Sequence, residues 1–425
     1  MGACISYSVP QATYEANCPG RYSMAESALS DLRVLELGEF VSAAWCTRAF
    51  AVMGAEVIKV ESPSGDRSRR IGPFPNDIPN SEKSGLYLYL NTGKKGITLD
   101  IGSATGRQVV LELAKHVDVV VDNHLPGQMR DWGLTYSDFQ SVNPRVIFTS
   151  ITPFGWEGPW SDYKSNDLVG FHASGIGHET PLMFVTDPEN EPPLKGAEYQ
   201  GDMTTGWTAA SATMMAIFHR VQTGLGQMLD VSHHEALANM VRPNVARYTY
   251  SGDVVEDRPA APAPAAMQCA DGYVALSALA DAHWAGLKNM LGEPEWIMDE
   301  RFSTREGRME NRQEISDLTQ LEVLELSKDD VFRRAQENHI PCFPYNTVED
   351  VLKSDQYEHR EYWVPVAHPI AGEYNYPGVP FKFSKSPGSL GRSAPLLGEH
   401  NEAILVDLLG YSAQDLRDWR ISGLL

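Results

Sequence analysis

Between residues 32 and 150, short apolar runs alternate with amphipathic segments, and this alternation constrains the fold more than any other feature. Residues 32–38 and 56–61 read as strands on either side of a helix at 43–53. The same pattern continues with strands at 97–100, 117–122 and 146–150 and with helices at 104–116 and 126–132. Strands separated by helices pair in parallel. We therefore predict an α/β fold with a mainly parallel sheet and ligands at the carboxyl ends of its strands.

The chain of 425 residues is longer than one typical domain. We predict an N-terminal extension (1–30), a Rossmann-like large domain (31–225), and a helix and linker (226–265) that ends in a run of Pro and Ala. A smaller α+β domain (266–350) follows. Residues 351–425 form a return linker and C-terminal helices that complete the large domain. A GxGxxG motif is missing after the first strand, so dinucleotide binding is not favoured.

Composition narrows the class of function. A formal net charge of −21 disfavours a nucleic-acid surface, and no apolar run is long enough to span a bilayer. The five cysteines are scattered without metal-binding spacing, which indicates reduced thiols in a cytoplasmic protein and no metal site. His233 and His234 lack the spacing of a zinc-protease helix, and we interpret them as helix surface or packing.

The first six residues match the N-myristoylation pattern, with Cys4 as a candidate palmitoylation site. That pattern is short and occurs by chance in many chains. An extension that is poorly ordered or packed on the surface is the interpretation we favour for this segment.

A single carboxylate, Asp202, stands among small residues just before the apolar segment 208–218. One reading makes Asp202 the N-cap of the helix that follows. In that reading Gly201 allows a tight turn of the backbone and a close approach to a ligand. A second reading makes Asp202 a nucleophile, and the local pattern alone does not decide between the two.

Short motifs along the chain, none of them specific alone, have an order and spacing that are specific together. They occupy residues 53–61, 65–66, 91–100, 143–147, 154–155, 158–159, 201–202, 224–227, 230–232, 310–312, 340–342, 383–384, 387–388 and 397–400. On these motifs the chain resembles the family III CoA-transferases, the group of the formyl-CoA:oxalate and carnitine enzymes. The resemblance runs from about Asp31 to the C-terminus.

The resemblance implies that Asp202 is the catalytic carboxylate. Its carboxylate would attack an acyl-CoA thioester, and CoA would then pass through an aspartyl-CoA thioester to a carboxylic acid acceptor. Backbone N–H groups near Gly201, or from a facing loop, would hold the oxyanion. The resemblance also implies an interlocked homodimer, with acyl-CoA and a carboxylic acid as the substrates.

The family's CoA contacts fall on several loops of this chain. They are Val41, Ser42, Leu99, Gly102, Asn123, His124 and Lys164. CoA phosphates also require cations, and the candidates are Arg67, Arg69, Arg70, Lys94, Lys95 and Arg130. For each cation alone, a solvated surface charge is an equal alternative. Trp156, Trp160, His172, His178 and Phe184 are expected either to shape the acid pocket or to pack a long loop region.

Departures from the family pattern leave two alternatives open. Ala43-Ala44 replaces Gly-Pro, Ser62 replaces an arginine, and Arg130 stands one residue early, so we expect the contacts to the CoA adenine and phosphates to differ from those of the family. A racemase of α-methylacyl-CoA is one alternative, but it needs a proton-shuttling His where this chain has Asn166. A non-catalytic CoA-binding or scaffold protein is the other. Residues 262–266 replace the glycine-rich loop of formyl-CoA transferase, so we do not expect the oxalate pair as substrates.

Overall fold

The computed structural model describes residues 27–178, 180, 190–252, 266–278 and 280–425 of the chain. Three features of the sequence analysis lie outside these residues: the acylation pattern, Phe184, and residues 262–265, which replace the family's glycine-rich loop. Within them, every helix is too short or too polar to cross a bilayer.

A six-stranded sheet, parallel throughout, is the centre of the larger part of the chain. Its strands are β1 (Arg33–Glu36), β2 (Glu56–Glu61), β3 (Lys95–Thr98), β4 (Val119–Asp122), β5 (Ile147–Thr152) and β6 (Met228–Ser232). They lie in the order β3-β2-β1-β4-β5-β6. The chain thus winds outward from β1 in one direction and from β4 in the other. Doubly wound sheets bind ligands at such a switch point, and the predicted α/β fold with a parallel sheet is confirmed.

Strand β6 lies at the start of the segment 226–265, for which the sequence predicts a helix and a linker but no strand. It pairs with β5 from Met228 opposite Phe148 to Ser232 opposite Thr152. A run of five residues is too short for its period to separate a strand from a helix. The sheet therefore continues past residue 225, whereas the division of the chain into domains stays a prediction.

Helices cover both faces of the sheet. They are α1 (Ser42–Ala51), α2 (Gly85–Leu90), α3 (Ala104–Ala114), α4 (Pro126–Trp132), α5 (Tyr136–Val142), α6 (Asp167–Ala173), α7 (Gln200–Thr223), α8 (His233–Ala238) and α9 (Arg242–Ser251). Successive strand residues point to opposite faces. Val34 packs with residues of α1 and α7 on one face, while Leu35 packs with residues of α3 on the other.

A smaller sheet of three antiparallel strands lies further along the chain. Its strands β7 (Met267–Cys269), β8 (Gly272–Leu276) and β9 (Cys342–Pro344) follow in that order. Its helices are α10 (Asp281–Leu291), α11 (Arg305–Glu310), α12 (Arg312–Val323), α13 (Lys328–Glu337) and α14 (Val348–Leu352). Val274, Trp284 and Val331 share its own apolar core, as expected for an α+β unit.

The C-terminal residues return to the large sheet. Helix α15 (Asp355–His359) and the hairpin of β10 (Trp363–His368) and β11 (Gly372–Pro377) come first, then a π-helical segment (Glu402–Leu408) and α16 (Ala413–Ser422). Ile404 and Leu416 pack in the same core as Leu35. The Asn401 side chain accepts a hydrogen bond from the Thr98 backbone N–H at 2.9 Å, so the return is fixed at β3.

A buried charge cluster of Glu36, Lys59, Asp66 and Lys94 lies beneath the carboxyl edge of the sheet. The Glu36 carboxylate pairs with the Lys59 and Lys94 ammonium groups at 2.8 Å each. Lys59 also pairs with Asp66 at 2.8 Å, and Asp66 accepts a hydrogen bond from the Phe40 backbone N–H at 3.1 Å. The cluster thereby fixes the loop that follows β1.

We predict that Lys59→Met lowers the free energy of unfolding by about 3–5 kcal/mol, because it leaves buried carboxylates without their cation. The matched control is Lys95→Met, which removes the lysine from a partly exposed pair with Glu56 at 2.6 Å. That change should cost about 0–1 kcal/mol. Urea unfolding followed by tryptophan fluorescence measures both, and equal losses would show that the cluster does not carry this stability.

Candidate active site

A cavity of about 550 Å³ opens at the carboxyl edge of the large sheet. Its walls are formed by loops after β1, β2, β4 and β5, by the segment before α7, and by the first turns of α6, α7 and α8. Its lining residues are Phe40, Val41, Ser42, Arg67, Asn123, Ile151, Thr152, Pro153, Ser165, Asn166, Asp167, Leu168, Lys195, Glu198, Tyr199, Asp202 and His233. This is the edge at which the parallel sheet predicts ligand binding.

Asp202 faces this cavity from the first turn of α7, and its side chain is only 16% exposed. The N-cap of the helix is Tyr199, so the alternative in which Asp202 is the N-cap is wrong. Gly201 is helical and makes no tight turn. A Cβ atom there would lie 2.7 Å from the Asp167 carboxylate and 2.9 Å from the His233 ring. Gly201 therefore makes room for those two side chains.

A second close approach sets the position of α7. A Cβ atom on Gly206 would lie 2.7 Å from the backbone oxygen of Ser42. Because glycine has no side chain, α7 packs directly against the first turn of α1. Gly201 and Gly206 thus allow α7 to pack closely against Asp167 and His233 on one side and against Ser42 on the other.

Asp167, which the sequence analysis did not place in the site, supports Asp202 from α6. Its buried carboxylate accepts a hydrogen bond from the Asp202 backbone N–H at 2.7 Å. Its other oxygen lies 2.6 Å from the Lys195 ammonium group. Lys195 is held in turn by the Gly196 carbonyl at 2.8 Å. The Asp167–Lys195 ion pair therefore fixes the first turn of α7.

His233 lies in the site, which corrects its interpretation as helix surface or packing. It is the first residue of α8, directly after β6, and is buried. Its Nδ1 atom lies 3.8 Å from an Asp202 oxygen, and its Nε2 atom has no hydrogen-bond partner among the described residues. Burial lowers the pKa of His233, outweighing the effect of Asp167. The ring is therefore neutral near pH 7. The sequence analysis did not identify strand β6, which ends at this edge of the sheet and places His233 there.

The pKa of Asp202 is raised to about 7. Burial is the main cause, the Asp167 charge adds to it, and the charges of Arg67 and Lys195 oppose it. Loss of the proton near neutral pH gives a desolvated carboxylate, which is a stronger nucleophile than a hydrated one. The site thus keeps a reactive carboxylate at a cost in stability.

Asp167, Asp202 and His233 could together offer ligand atoms to a metal ion, since these atoms lie within 4.8 Å of one another. A metal ion would have to compete with the Lys195 ammonium group for Asp167. The sequence-based expectation of no metal stays a prediction.

Six of the residues expected to contact CoA lie in two neighbouring cavities. Val41, Ser42 and Asn123 line the cavity that contains Asp202. Leu99, Gly102 and His124 line a second cavity of about 130 Å³ at the ends of β1 to β4. Since residues 123 and 124 are adjacent, one loop borders both cavities.

The cations expected near the CoA phosphates lie in four different settings. Arg69 pairs with Glu61 at 2.7 Å and is buried, and Lys94 belongs to the buried charge cluster, so both expectations are wrong. Lys95 pairs with Glu56. Arg70, Arg130 and Lys164 are exposed and line neither cavity. Arg130 pairs with Asp162 at 3.1 Å. Only Arg67 of the set lines the cavity of Asp202.

The aromatic residues expected to shape an acid pocket lie outside the lining of that cavity, as far as the described residues show. Trp156 packs against the main core and donates a hydrogen bond to Ser150 at 2.6 Å. Trp160 packs edge to face on Phe154, with ring centroids 5.6 Å apart. These contacts favour the packing alternative.

A doubly wound sheet with a buried, raised-pKa carboxylate at its carboxyl edge defines the class as an α/β protein with a candidate catalytic carboxylate. Comparisons identify the family. Residues 29–401 match CoA-transferase family III. The chain therefore belongs to CoA-transferase family III, and the predicted resemblance is confirmed.

Individual relatives agree with this assignment. The chain is 31% identical to formyl-CoA:oxalate CoA-transferase of Streptomyces coelicolor, over 95% of this chain and 100% of the relative. It is 30% identical to succinyl-CoA–D-citramalate CoA-transferase of Chloroflexus aurantiacus, over 91% and 96%. The crystal structure of a CaiB/BaiF family protein from Brucella suis matches with a TM-score of 0.78 at 28% identity, over 90% of this chain and 100% of that one. The protein is an enzyme of the CoA-transferase type.

The raised pKa predicts how Asp202 affects stability. Between the unfolded pKa near 4 and the folded pKa of about 7, only the folded state keeps the proton, so stability falls as pH rises through this window. Asp202→Asn should therefore stabilise the protein by roughly 1–4 kcal/mol at pH 8 and by almost nothing at pH 4.

Unfolding in urea at both pH values tests this prediction. The matched control is Asp317→Asn on the exposed face of α12, which should change stability equally little at both. A loss of stability in Asp202→Asn at pH 8 would show that the carboxylate is favourably solvated or paired in the folded state.

Proposed function

We propose that this enzyme transfers CoA from an acyl-CoA thioester to a carboxylic acid through covalent intermediates on Asp202. The observation that carries the proposal is the Asp202 carboxylate, which faces the cavity with its pKa raised to about 7. Lys195, which also lines the cavity, is engaged by the Asp167 carboxylate at 2.6 Å, and the ring of the neighbouring His233 is neutral. Asp202 is thus the group placed to act as nucleophile.

The reaction balances without any proton transfer. An Asp202 oxygen attacks the thioester carbon, the C–S bond breaks, and CoA thiolate leaves a mixed anhydride. The thiolate then attacks the aspartyl carbonyl and releases the donor acid as its carboxylate, which leaves an aspartyl-CoA thioester. The acceptor carboxylate attacks that thioester, forming a second anhydride and thiolate. Attack of the thiolate on the acceptor's acyl carbon gives the new thioester and restores Asp202.

Neighbouring groups have distinct roles in this proposal. Asp167 orients the first turn of α7 through the Asp202 N–H. That N–H is therefore already engaged and is not a donor for an oxyanion, which revises the expectation of a backbone donor at this position. We assign this role to the neutral ring of His233, whose Nδ1 atom is 3.8 Å from the Asp202 carboxylate.

CoA is proposed to run from the second cavity into the first. Its adenosine end would lie beside Leu99, Gly102 and His124, and its pantetheine arm would pass Asn123 toward Asp202. Burial alone would lower the pKa of His124, but the Asp122 carboxylate 2.5 Å away outweighs it and raises that pKa. This pairing favours the protonated form of His124, and that form would suit a phosphate group bound in this cavity. Arg70, Arg130 and Lys164 remain proposed as exposed cations for the same phosphates.

The alternatives from the sequence receive less support. Asn166 caps α6 by accepting a hydrogen bond from the Val169 N–H at 3.0 Å, and an amide at this position cannot act as the proton-shuttling base of a racemase. A scaffold function gives no reason to bury a carboxylate unpaired. Buried free thiols at Cys46, Cys269 and Cys342 agree with the proposed cytoplasmic location.

Substitution of Asp202 by Asn tests the proposal. The amide keeps the size of the side chain and removes its nucleophilicity, so transfer from succinyl-CoA to carboxylic acids should fall by at least about 10³-fold, the scale on which loss of a covalent catalyst acts. CoA binding by calorimetry should be unchanged. Transfer by the variant at a near wild-type rate would make Asp202 a structural residue only.

We also propose a homodimer, interlocked as in the family that the chain resembles. The outer face of α7 exposes Met215, Phe218 and Val221, which are 65–75% accessible in the single chain, and a contiguous apolar face is typical of an interface. Light scattering should show a dimer that persists on dilution. Phe218→Glu should produce monomers or soluble aggregates, whereas Arg417→Gln on α16 should leave the dimer intact. A fully active wild-type monomer would exclude this assembly.

A further inference from the structure

Arg67 is a cation of the active-site cavity with no use in the transfer chemistry described above. Its side chain is exposed and lines the cavity that contains Asp202. Among the described residues, no carboxylate lies within ion-pair distance of its guanidinium group. Because the guanidinium group is charged throughout the pH range in which proteins are folded, it gives the cavity a positive charge that can bind an anion.

Contacts around Arg67 hold it in place. Its guanidinium carbon lies 4.1 Å from the centre of the Phe40 ring, a cation–π contact. Phe40 packs edge to face on Tyr199 with ring centroids 5.0 Å apart. The neighbours of Arg67 in the chain, Asp66 and Ser68, are buried and hydrogen-bonded to each other at 2.7 Å. Arg67 is therefore preorganised, which reduces the entropy lost when it binds a ligand.

The other charges of the cavity are accounted for without Arg67. Lys195 is neutralised by Asp167 at 2.6 Å. Asp202 loses its charge when it forms the aspartyl-CoA thioester. The Glu198 side chain is exposed, and its backbone carbonyl accepts a hydrogen bond from the Lys195 ammonium group. When the acceptor acid binds, Arg67 and Glu198 are therefore the unpaired charges on the described walls, and Arg67 alone attracts an anion.

We propose that Arg67 binds the second carboxylate of a dicarboxylic acid, so that this enzyme selects dicarboxylates over monocarboxylates of the same chain length. The inference rests on the proposed function, since the first carboxylate must reach the thioester on Asp202. Arg67 is close enough to act on the reacting end of the cavity, because its positive charge opposes the effect of burial on the pKa of Asp202. Arg67 is thus a specificity-determining residue of the acid site.

A CoA phosphate is the other anion that Arg67 could bind. The structure favours the carboxylate, because Arg67 lines the cavity of the reacting carboxylate and is not in the lining of the second cavity. The phosphates of CoA lie at the end of the molecule opposite its thiol. An arginine at the reacting end is therefore placed for the acid and not for the phosphates.

The test compares Arg67→Gln with the wild type, using succinyl-CoA as donor and either glutarate or pentanoate as acceptor. In Arg67→Gln, kcat/KM for glutarate should fall by roughly 10–100-fold, the worth of a charge-assisted hydrogen bond, and kcat/KM for pentanoate should stay within about twofold. Arg67→Lys should recover part of the loss. Calorimetric binding of free CoA should not change. Arg417→Gln, an equal loss of charge on the distant α16, is the matched control.

Two outcomes would overturn the inference while the transfer mechanism stands. Equal use of glutarate and pentanoate by the wild type would show that no second carboxylate is recognised. A weaker affinity of Arg67→Gln for free CoA, with an unchanged ratio between the two acids, would assign Arg67 to a phosphate. Absence of any acyl adduct on Asp202 in the wild type would instead overturn the proposed function itself.

Discussion

The ammonium group of Lys59, held between Glu36 and Asp66 inside the sheet, is the contact on which the active-site geometry depends. Each ion pair measures 2.8 Å, and all three side chains are buried. Asp66 carries the effect outward by accepting the Phe40 N–H. Phe40 adopts a left-handed backbone conformation with φ of 64°, which costs energy in a residue with a Cβ atom. The cluster therefore holds a loop in a shape that it would not keep alone.

That loop and helix α7 then determine where the reactive carboxylate lies. Gly206 lets α7 approach the Ser42 carbonyl, and Gly201 admits Asp167 and His233 beside Asp202. Two carboxylates consequently share a desolvated corner. Lys195 neutralises the charge of Asp167. Burial of Asp202 raises its pKa to about 7. An unfavourable position of this kind is common where a residue serves chemistry instead of stability.

Much of the fold could be predicted from the sequence, because a long series of alternating strands and helices is compatible with few folds. Helix α4 (Pro126–Trp132) and strand β2 (Glu56–Glu61) agree with prediction in both bounds. Strand β6 was missed because five residues carry too little periodicity. Without β6 in the predicted sheet, His233 could not be placed at the carboxyl edge, where this strand ends.

Long-range contacts explain the remaining differences in the site. Asp202 could be selected from its glycine frame and family motif, but its partners Asp167 and Lys195 come from distant segments that no local pattern connects. Burial also could not be inferred from residue type, so Arg69 and Lys94 were taken as accessible cations although they lie in ion pairs inside the protein. Arg67, two residues from Arg69, differs from it only in the direction it faces.

The most direct measurement is the mass of the peptide that contains Asp202 after the wild-type enzyme is mixed with succinyl-CoA and quenched with hydroxylamine. Anhydrides and thioesters react with hydroxylamine and free carboxylates do not, so Asp202 should be recovered as a hydroxamate. The adduct should be absent when the donor is omitted and in Asp202→Asn. Turnover by the wild type with unmodified Asp202, or with the hydroxamate on another residue, would contradict the assignment of Asp202 as the nucleophile.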